Sequence, residues 1–270
     1  MASSNVSTAV PGIRKQGSKV VMINGTPIIV NPPMVSVPLG KDRKGEEQIL
    51  DLACCRHIFV ASPNPARKDK MIEFIMQSAI KNAGSNGVKF LASSFTSSKL
   101  RSHDGKPYMV NPVIGSEYGA IRVLDYLYDE NTRRQKLFRS KHADWLMGYN
   151  DMVGPSEKIP YLIYVVDEIS GLMRKHRADL CRKVSQIALS SRFTGVFLLF
   201  GTSDICPEVI REDFMKAFHK RIVFRVDDAS QSKLLIGSEG AEHLGRDRIF
   251  LFDPDYLTPD RIKLSDQILR

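Results

Sequence analysis

Two adjacent carboxylates close an unbroken apolar run: Tyr161-Leu162-Ile163-Tyr164-Val165-Val166 is followed directly by Asp167 and Glu168. Such a run suits a strand buried on both faces of a parallel sheet, with the acids delivered at its C-terminal end. There Asp167 would hold a metal-bound water and Glu168 would activate a catalytic water, the acidic half of a nucleotide-hydrolysis site. The other half of such a site is a strand and a loop, G-x-x-x-x-G-K-[ST], whose amides cradle phosphates while the lysine reaches phosphate and the hydroxyl reaches Mg2+. Here His57-Ile58-Phe59-Val60-Ala61 runs into Ser62-Pro63-Asn64-Pro65-Ala66-Arg67-Lys68-Asp69, and of the motif's fixed positions only Lys68 is present.

A phosphate nest needs left-handed or alternating backbone, which glycine adopts freely and which costs other L-residues about 1 to 2 kcal/mol each. Proline cannot adopt it and has no amide to donate, so Pro65 removes one donor outright. The loop also has a structural explanation as it stands. Asn64 is a strong N-cap and Pro65 fits a first helical position, so a helix starts early, with Arg67 and Lys68 facing solvent and Asp69 complementing the helix dipole. Beside this stands a functional reading, in which Lys68 and Arg67 attract a nucleotide phosphate and Asp69 is an unusual Mg2+ ligand. Asp167 and Glu168 likewise read either as a hydrolytic pair or as strand-end carboxylates kept for fold or subunit contacts.

The elements that position these residues alternate along the chain. A hairpin is expected from Lys19–Ile23 and Thr26–Val30 around Asn24-Gly25, a favoured two-residue turn. Residues 1–16 read as a mobile tail, 17–35 as the hairpin and its lead, and 36–270 as the main domain. Strand 57–61, a helix near 65–82 with Ile72, Ile75, Met76, Ala79 and Ile80 on one face, and strand 88–92 form a βαβ unit. A helix from about Glu117 to His142 leads to strand 161–166. Helix 178–191, strand 195–200, helix 207–217, strand 220–226 and a hairpin-like close at 248–252 follow. The pattern predicts a mostly parallel sheet with helices on both faces.

With 270 residues, 43% of them hydrophobic, the chain can bury a full core. No apolar run is long enough for a membrane span and no charged-then-apolar leader is present, so it reads as a soluble cytoplasmic protein. Cys54, Cys55, Cys181 and Cys206 lack zinc-site spacing and read as reduced thiols, with Cys54 and Cys55 flanking a strand. A net charge of +9 is compatible with an anionic partner without requiring one. Basic residues cluster at Arg133, Arg134, Lys136, Arg139 and Lys141, and again at Arg174, Lys175, His176, Arg177, Arg182 and Lys183. Each cluster also suits a solvated helix face. The six histidines are scattered without ligand spacing, and Trp145 reads as a packing residue.

In this order the motifs resemble the motor domain of the FtsK/SpoIIIE family of double-stranded DNA translocases, which are RecA-like ring ATPases. The resemblance rests on Val37-Pro38-Leu39-Gly40-Lys41-Asp42 with Gly45-Glu46 and Asp51-Leu52-Ala53, then Gly148-Tyr149-Asn150, Ile159-Pro160-Tyr161 and Val165-Val166-Asp167-Glu168. It continues through Arg192 and Gly195, Lys216-Ala217 with Arg221-Ile222, and Gly240-Ala241-Glu242 with Leu244-Gly245, covering roughly 36–252. It implies an α/β RecA-like P-loop fold, ATP and Mg2+ as cofactors, double-stranded DNA as partner, and a hexameric ring of like or mixed subunits. By resemblance Asp167 is the metal ligand and Glu168 the carboxylate that activates the catalytic water, the Walker B pair. Arg174, Lys175 and Arg177 fall where the family has a pore-facing segment, and a phosphate-contact role follows for them. Arg192 falls near the subunit boundary, either as an arginine reaching a neighbour's nucleotide or as a helix C-terminal cation.

The departures fall on the chemistry. Ser62, Pro65 and Arg67 replace loop glycines, and Asp69 replaces a hydroxyl. An aspartate and lysine after the second strand are absent from Ala92-Ser93-Ser94-Phe95-Thr96. Ser203 and Asp204 stand for a sensor glutamine and its arginine neighbour. The second pore-facing stretch carries Asp204, Glu208, Glu212 and Asp213, which oppose a DNA phosphate. Three readings result: a subunit with an eroded phosphate loop that binds DNA or ring partners and hydrolyses ATP poorly, an active translocase with a divergent loop, and a structural adaptor of a ring or secretion complex. The first is favoured.

Overall fold

The computed structural model describes residues 19–23, 26–30, 35–52, 57–84, 86–95, 99–191, 193–254 and 258–269. The expected 1–16 tail, the Asn24-Gly25 turn and Cys54–Cys55 lie outside them. The chain divides into two compact units, 1–34 and 35–270. In the first, β1 (Lys19–Ile23) pairs antiparallel with β2 (Thr26–Val30), Ile23 opposite Thr26.

The second unit is built on a nine-stranded sheet. Its strands are β3 (Ser36–Lys41), β4 (Glu47–Asp51), β5 (Ile58–Ala61), β6 (Val88–Ser93), β7 (Tyr161–Val166), β8 (Val196–Thr202), β9 (Lys220–Val223), β10 (Arg248–Phe252) and β11 (Asp260–Leu264). They lie in the order β4-β3-β11-β10-β9-β5-β8-β7-β6. The five strands β9, β5, β8, β7 and β6 are mutually parallel, and the remaining four extend them in antiparallel pairings. The parallel strands are short and apolar because helices cover both of their faces. Where β3 meets β11, a side chain at Gly40 would drive a Cβ into the Lys263 carbonyl, and the Gly40 φ of 148° is one that other residues rarely adopt.

Helix α1 (Pro65–Ala83) buries Met71, Ile72, Ile75, Met76 and Ala79, a 3.6-residue stripe, against β3, β5, β6 and β8. On the opposite face, α2 (Glu117–Ser140) and α4 (Ser170–Ser190) pack together over Phe59, Ala61, Leu162, Tyr164, Val166, Leu198 and Phe200. Alternation along each strand divides the side chains between the two layers. The remaining helices are α3 (Leu146–Met152), α5 (Glu212–Met215), α6 (Ala229–Ile236) and α7 (Asp266–Leu269).

Three expectations are corrected. Helix α4 begins at Ser170 rather than 178, because it runs on through a kink at His176 (φ −125°, ψ 25°) that the charged Arg174–Arg177 stretch disguised. The 207–217 helix shrinks to α5. Arg134 is not on a solvated face: it is buried, pairs with Glu130, and donates to the carbonyls of Pro160 and Thr194, so it ties α2 to the approaches of β7 and β8.

Candidate functional site

The parallel core brings the loop after β5 and the acid pair after β7 to the same sheet edge, one strand apart, with β8 between them. This is the edge, beyond the carboxyl ends of the strands, where open α/β sheets bind ligands. Asn64 sits in extended conformation (φ −93°, ψ 107°), its side chain accepts from the Arg67 amide at 3.3 Å, and Pro65 opens α1. The early helix start read from the sequence is therefore present.

Its lysine, however, does not face solvent. Lys68 is only 2% exposed. Its ammonium donates to the main-chain carbonyl of Asp167, lies 3.4 Å from Glu168 Oε2, and lies 3.2 Å from Asp69 Oδ1. The stem reaches there across Gly201 of β8, where an added Cβ would stand 2.9 Å from the Asp167 carbonyl and 3.0 Å from Lys68 Cδ. A buried ammonium needs opposite charge around it, and the Glu168 and Asp69 carboxylates supply it. Lys68 is the internal counterion of the acid cluster.

The two acids are held differently. Asp167 is buried and accepts from Ser94 Oγ at 2.6 Å. Burial pushes its carboxyl above the ordinary aspartate range, with Asp69 and Glu168 adding to the rise and Ser94 and Lys68 opposing it. Glu168 accepts from Thr202 Oγ1 at 2.6 Å and the Ser170 amide at 3.2 Å on one oxygen, and from the Ser203 hydroxyl and amide at 2.7 and 2.8 Å on the other. Burial again opposes ionisation, but the Lys68 charge and the Thr202 and Ser203 bonds outweigh it, so Glu168 sits below its ordinary range. It is an ionised, fully tethered carboxylate.

Residues 62–69 do not fit a phosphate cradle. Pro63 and Pro65 have no N–H, and the amides of Asn64, Arg67 and Lys68 bond within the turn, to Ser62 Oγ and to Asn64. The lysine is committed to Asp167 and Glu168, and a carboxylate, Asp69, stands where Mg2+ chemistry uses a hydroxyl. What the site offers is an acid cluster at a sheet edge with one internal counterion, Lys68.

Of the other expected site residues, Arg67 is half-buried and lines an adjacent cleft rather than the acid pair. Arg174 pairs with Asp204, and Lys175 pairs with Glu117 at 3.0 Å. Arg177 is exposed, and Arg192 lies outside the described residues. The acidic second stretch therefore touches the basic first one through Asp204. Ser94, Gly201 and Thr202 were not singled out from sequence, although small and hydroxyl residues just past apolar strands are a usable signal. Trp145 is half exposed, its ring resting near Gly148 of its own helix. His103 was unreadable as a partner: it bonds Glu73 and Tyr108, both at 2.7 Å, across 30 and 5 residues.

The strand order, the helix after β5 and the acids after β7 define a RecA-like P-loop ATPase fold. The conjugation coupling protein TcpA of pCW3, solved as a monomer with ATPγS, matches with a TM-score of 0.70 and 22% identity over 86% of this chain and 66% of that one. The cytoplasmic domain of the Thermomonospora curvata type VII secretion ATPase EccC matches with a TM-score of 0.69 and 19% identity, over 87% of this chain and 29% of that one. The FtsK/SpoIIIE family model matches residues 21–209, and the chain belongs to that family. It is 26% identical over 273 residues to the DNA translocase FtsK of Listeria monocytogenes, covering 94% of this chain and 36% of the relative. It is 28% identical over 210 residues to that of Borreliella burgdorferi, covering 76% and 27%. The chain thus spans about a quarter to a third of the length of these curated relatives. Among the described residues no helix is long and apolar enough to cross a membrane.

Proposed function

We propose that this chain is a translocase-type subunit that works on double-stranded DNA within a cytoplasmic ring of like or mixed subunits, and that its own ATP hydrolysis is impaired. The observation carrying this reading is the placement of Lys68, buried against the Asp167 carbonyl and Glu168 behind a loop already folded as a helix start. Phosphate binding there would require Lys68 to leave the Asp167 carbonyl and the Glu168 carboxylate and the helix to unwind at its cap. Glu168 would have to release an oxygen now held by Thr202 or Ser203 before it could take a proton from water. Family membership supports DNA as the substrate. Arg177, with Arg174 and Lys175 once freed from Asp204 and Glu117, supplies the phosphate contacts, and Arg192 is proposed at the subunit boundary.

Turnover of Mg2+-ATP, measured with and without duplex DNA for the wild type and for Glu168→Gln, tests this. The wild type is expected to match the variant. Turnover in the wild type that DNA stimulates and Glu168→Gln abolishes would return the chain to the active translocases. The intact acid pair at the end of β7 is the observation that favours that second reading.

A further inference from the structure

The opening segment of α4, residues 170–175, follows closely on Glu168 and carries Arg174 and Lys175. Acids from two other elements hold it. Glu117, the first residue of α2, takes Lys175 Nζ on one oxygen at 3.0 Å and meets His176 Nε2 with the other at 3.5 Å. Its carboxylate also lies against the first turn of α4: a Cβ added at Gly171 would stand 3.3 Å from Glu117 Oε1, so a larger residue there would press on that oxygen. Asp204, in the turn after β8, pairs with Arg174. Its backbone is fixed by the Thr202 hydroxyl, which accepts from the Asp204 amide at 3.1 Å. Helical geometry breaks at His176, directly beyond the two acid-paired cations, and Arg177 on the far side of the break is exposed.

A carboxylate in contact with a cation takes the N–H groups that a phosphate would use, and it sets a negative charge where phosphate oxygens must approach. The Arg174 and Lys175 side chains are nonetheless 50% and 66% exposed, within reach of a large partner. Exposed ion pairs are individually weak, so a polyanion can displace these carboxylates, and it loses affinity in doing so. We propose that Glu117 and Asp204 form an autoinhibitory clasp: they withhold Arg174 and Lys175 from DNA phosphates, with the His176 break as its boundary, and leave Arg177 as the standing contact. The inference rests on the reading that this stretch of α4 contacts duplex DNA. It adds that the resting chain keeps most of its grip masked by its own acids, and that opening the clasp is the step that tightens binding.

Duplex DNA binding by the full chain, titrated over salt, tests it in the wild type, in Glu117→Gln/Asp204→Asn, in Arg174→Ala/Lys175→Ala and in the combination of all four changes. Both acid replacements keep side-chain shape at partly exposed positions, so the acid variant is expected to melt as the wild type does. It is expected to bind duplex about three- to tenfold more tightly at moderate salt, with the slope of log K against log salt steeper by about 2 for the two added phosphate contacts. In the Arg174→Ala/Lys175→Ala background the same acid changes are expected to add little, because the lost negative charges then act only through a field that salt screens over about 10 Å. A gain that persists in full in that background would be a general charge effect, and an acid variant with wild-type affinity and slope would mean that the two cations already reach DNA. Either result overturns this inference and leaves the DNA reading standing. Salt-sensitive duplex binding absent from both the wild type and the acid variant would overturn the two together.

Discussion

Lys68, Asp167 and Glu168 were all legible as chemistry-bearing residues, but not the relation among them. Sequence spacing places a lysine four residues into a helix and says nothing of whether its ammonium faces solvent. That depends on Gly201, 34 residues from Asp167 and 133 from Lys68 along the chain, leaving room for the stem. The opposite pKa directions of the two acids give opposite expectations. Asp167 is raised in the folded state, so the stability linked to its proton is present at low pH and is lost as pH rises through the folded value. Asp167→Asn is therefore expected to raise the melting temperature at pH 7 and to remove that part of the pH dependence. Glu168 is lowered, so its contribution is present above the ordinary glutamate range and is lost as pH falls through the folded value. Glu168→Gln is expected to lower stability at pH 7 by about 1.5 to 3 kcal/mol, since hydrogen bonds to a charged group are lost, and to differ little from wild type in strong acid. Thermal melts of both variants from pH 3 to 8 read the two signs at once.

The helix after β5 and the strand ends around it were well marked, because apolar runs, a proline and a capping asparagine act locally. The kinked start of α4 was not, since its polar run Arg174–Arg177 has no apolar period and is held by contacts to Glu117 and Asp204 from elsewhere in the chain. Asn64→Ala removes the α1 cap and is expected to cost about 1 kcal/mol, with Asn64→Asp near neutral, by chemical denaturation. On α4, Arg174 and Lys175 already have carboxylate partners whereas Arg177 is exposed. Arg177→Ala is therefore expected to weaken duplex DNA binding most, and to reduce the slope of log K against log salt by about 1. Equal losses for Arg174→Ala and Arg177→Ala in a salt-titrated binding assay would remove that distinction.

Across the molecule, the five-strand parallel core was readable as alternating elements, while of the four antiparallel strands that widen the sheet only the hairpin-like close at 248–252 was. Their pairing joins β3 and β4, near the start of the unit, to β11 at its end, and no local pattern reports a contact over that separation. The two-unit division carries its own expectation: residues 35–270 expressed alone should melt as the full chain does, checked by circular dichroism. Unfolding of the molecule also reports on the site. The most direct measurement is a double-mutant cycle on unfolding free energy between Lys68→Met and Glu168→Gln. If Lys68 is the buried counterion of the acids, Lys68→Met alone costs about 3 to 5 kcal/mol, and the two changes are coupled by about 1 kcal/mol or more. Single costs that add to within about 0.5 kcal/mol would mean that Lys68 is not bound to the acid pair, and the phosphate loop would again be free to use it.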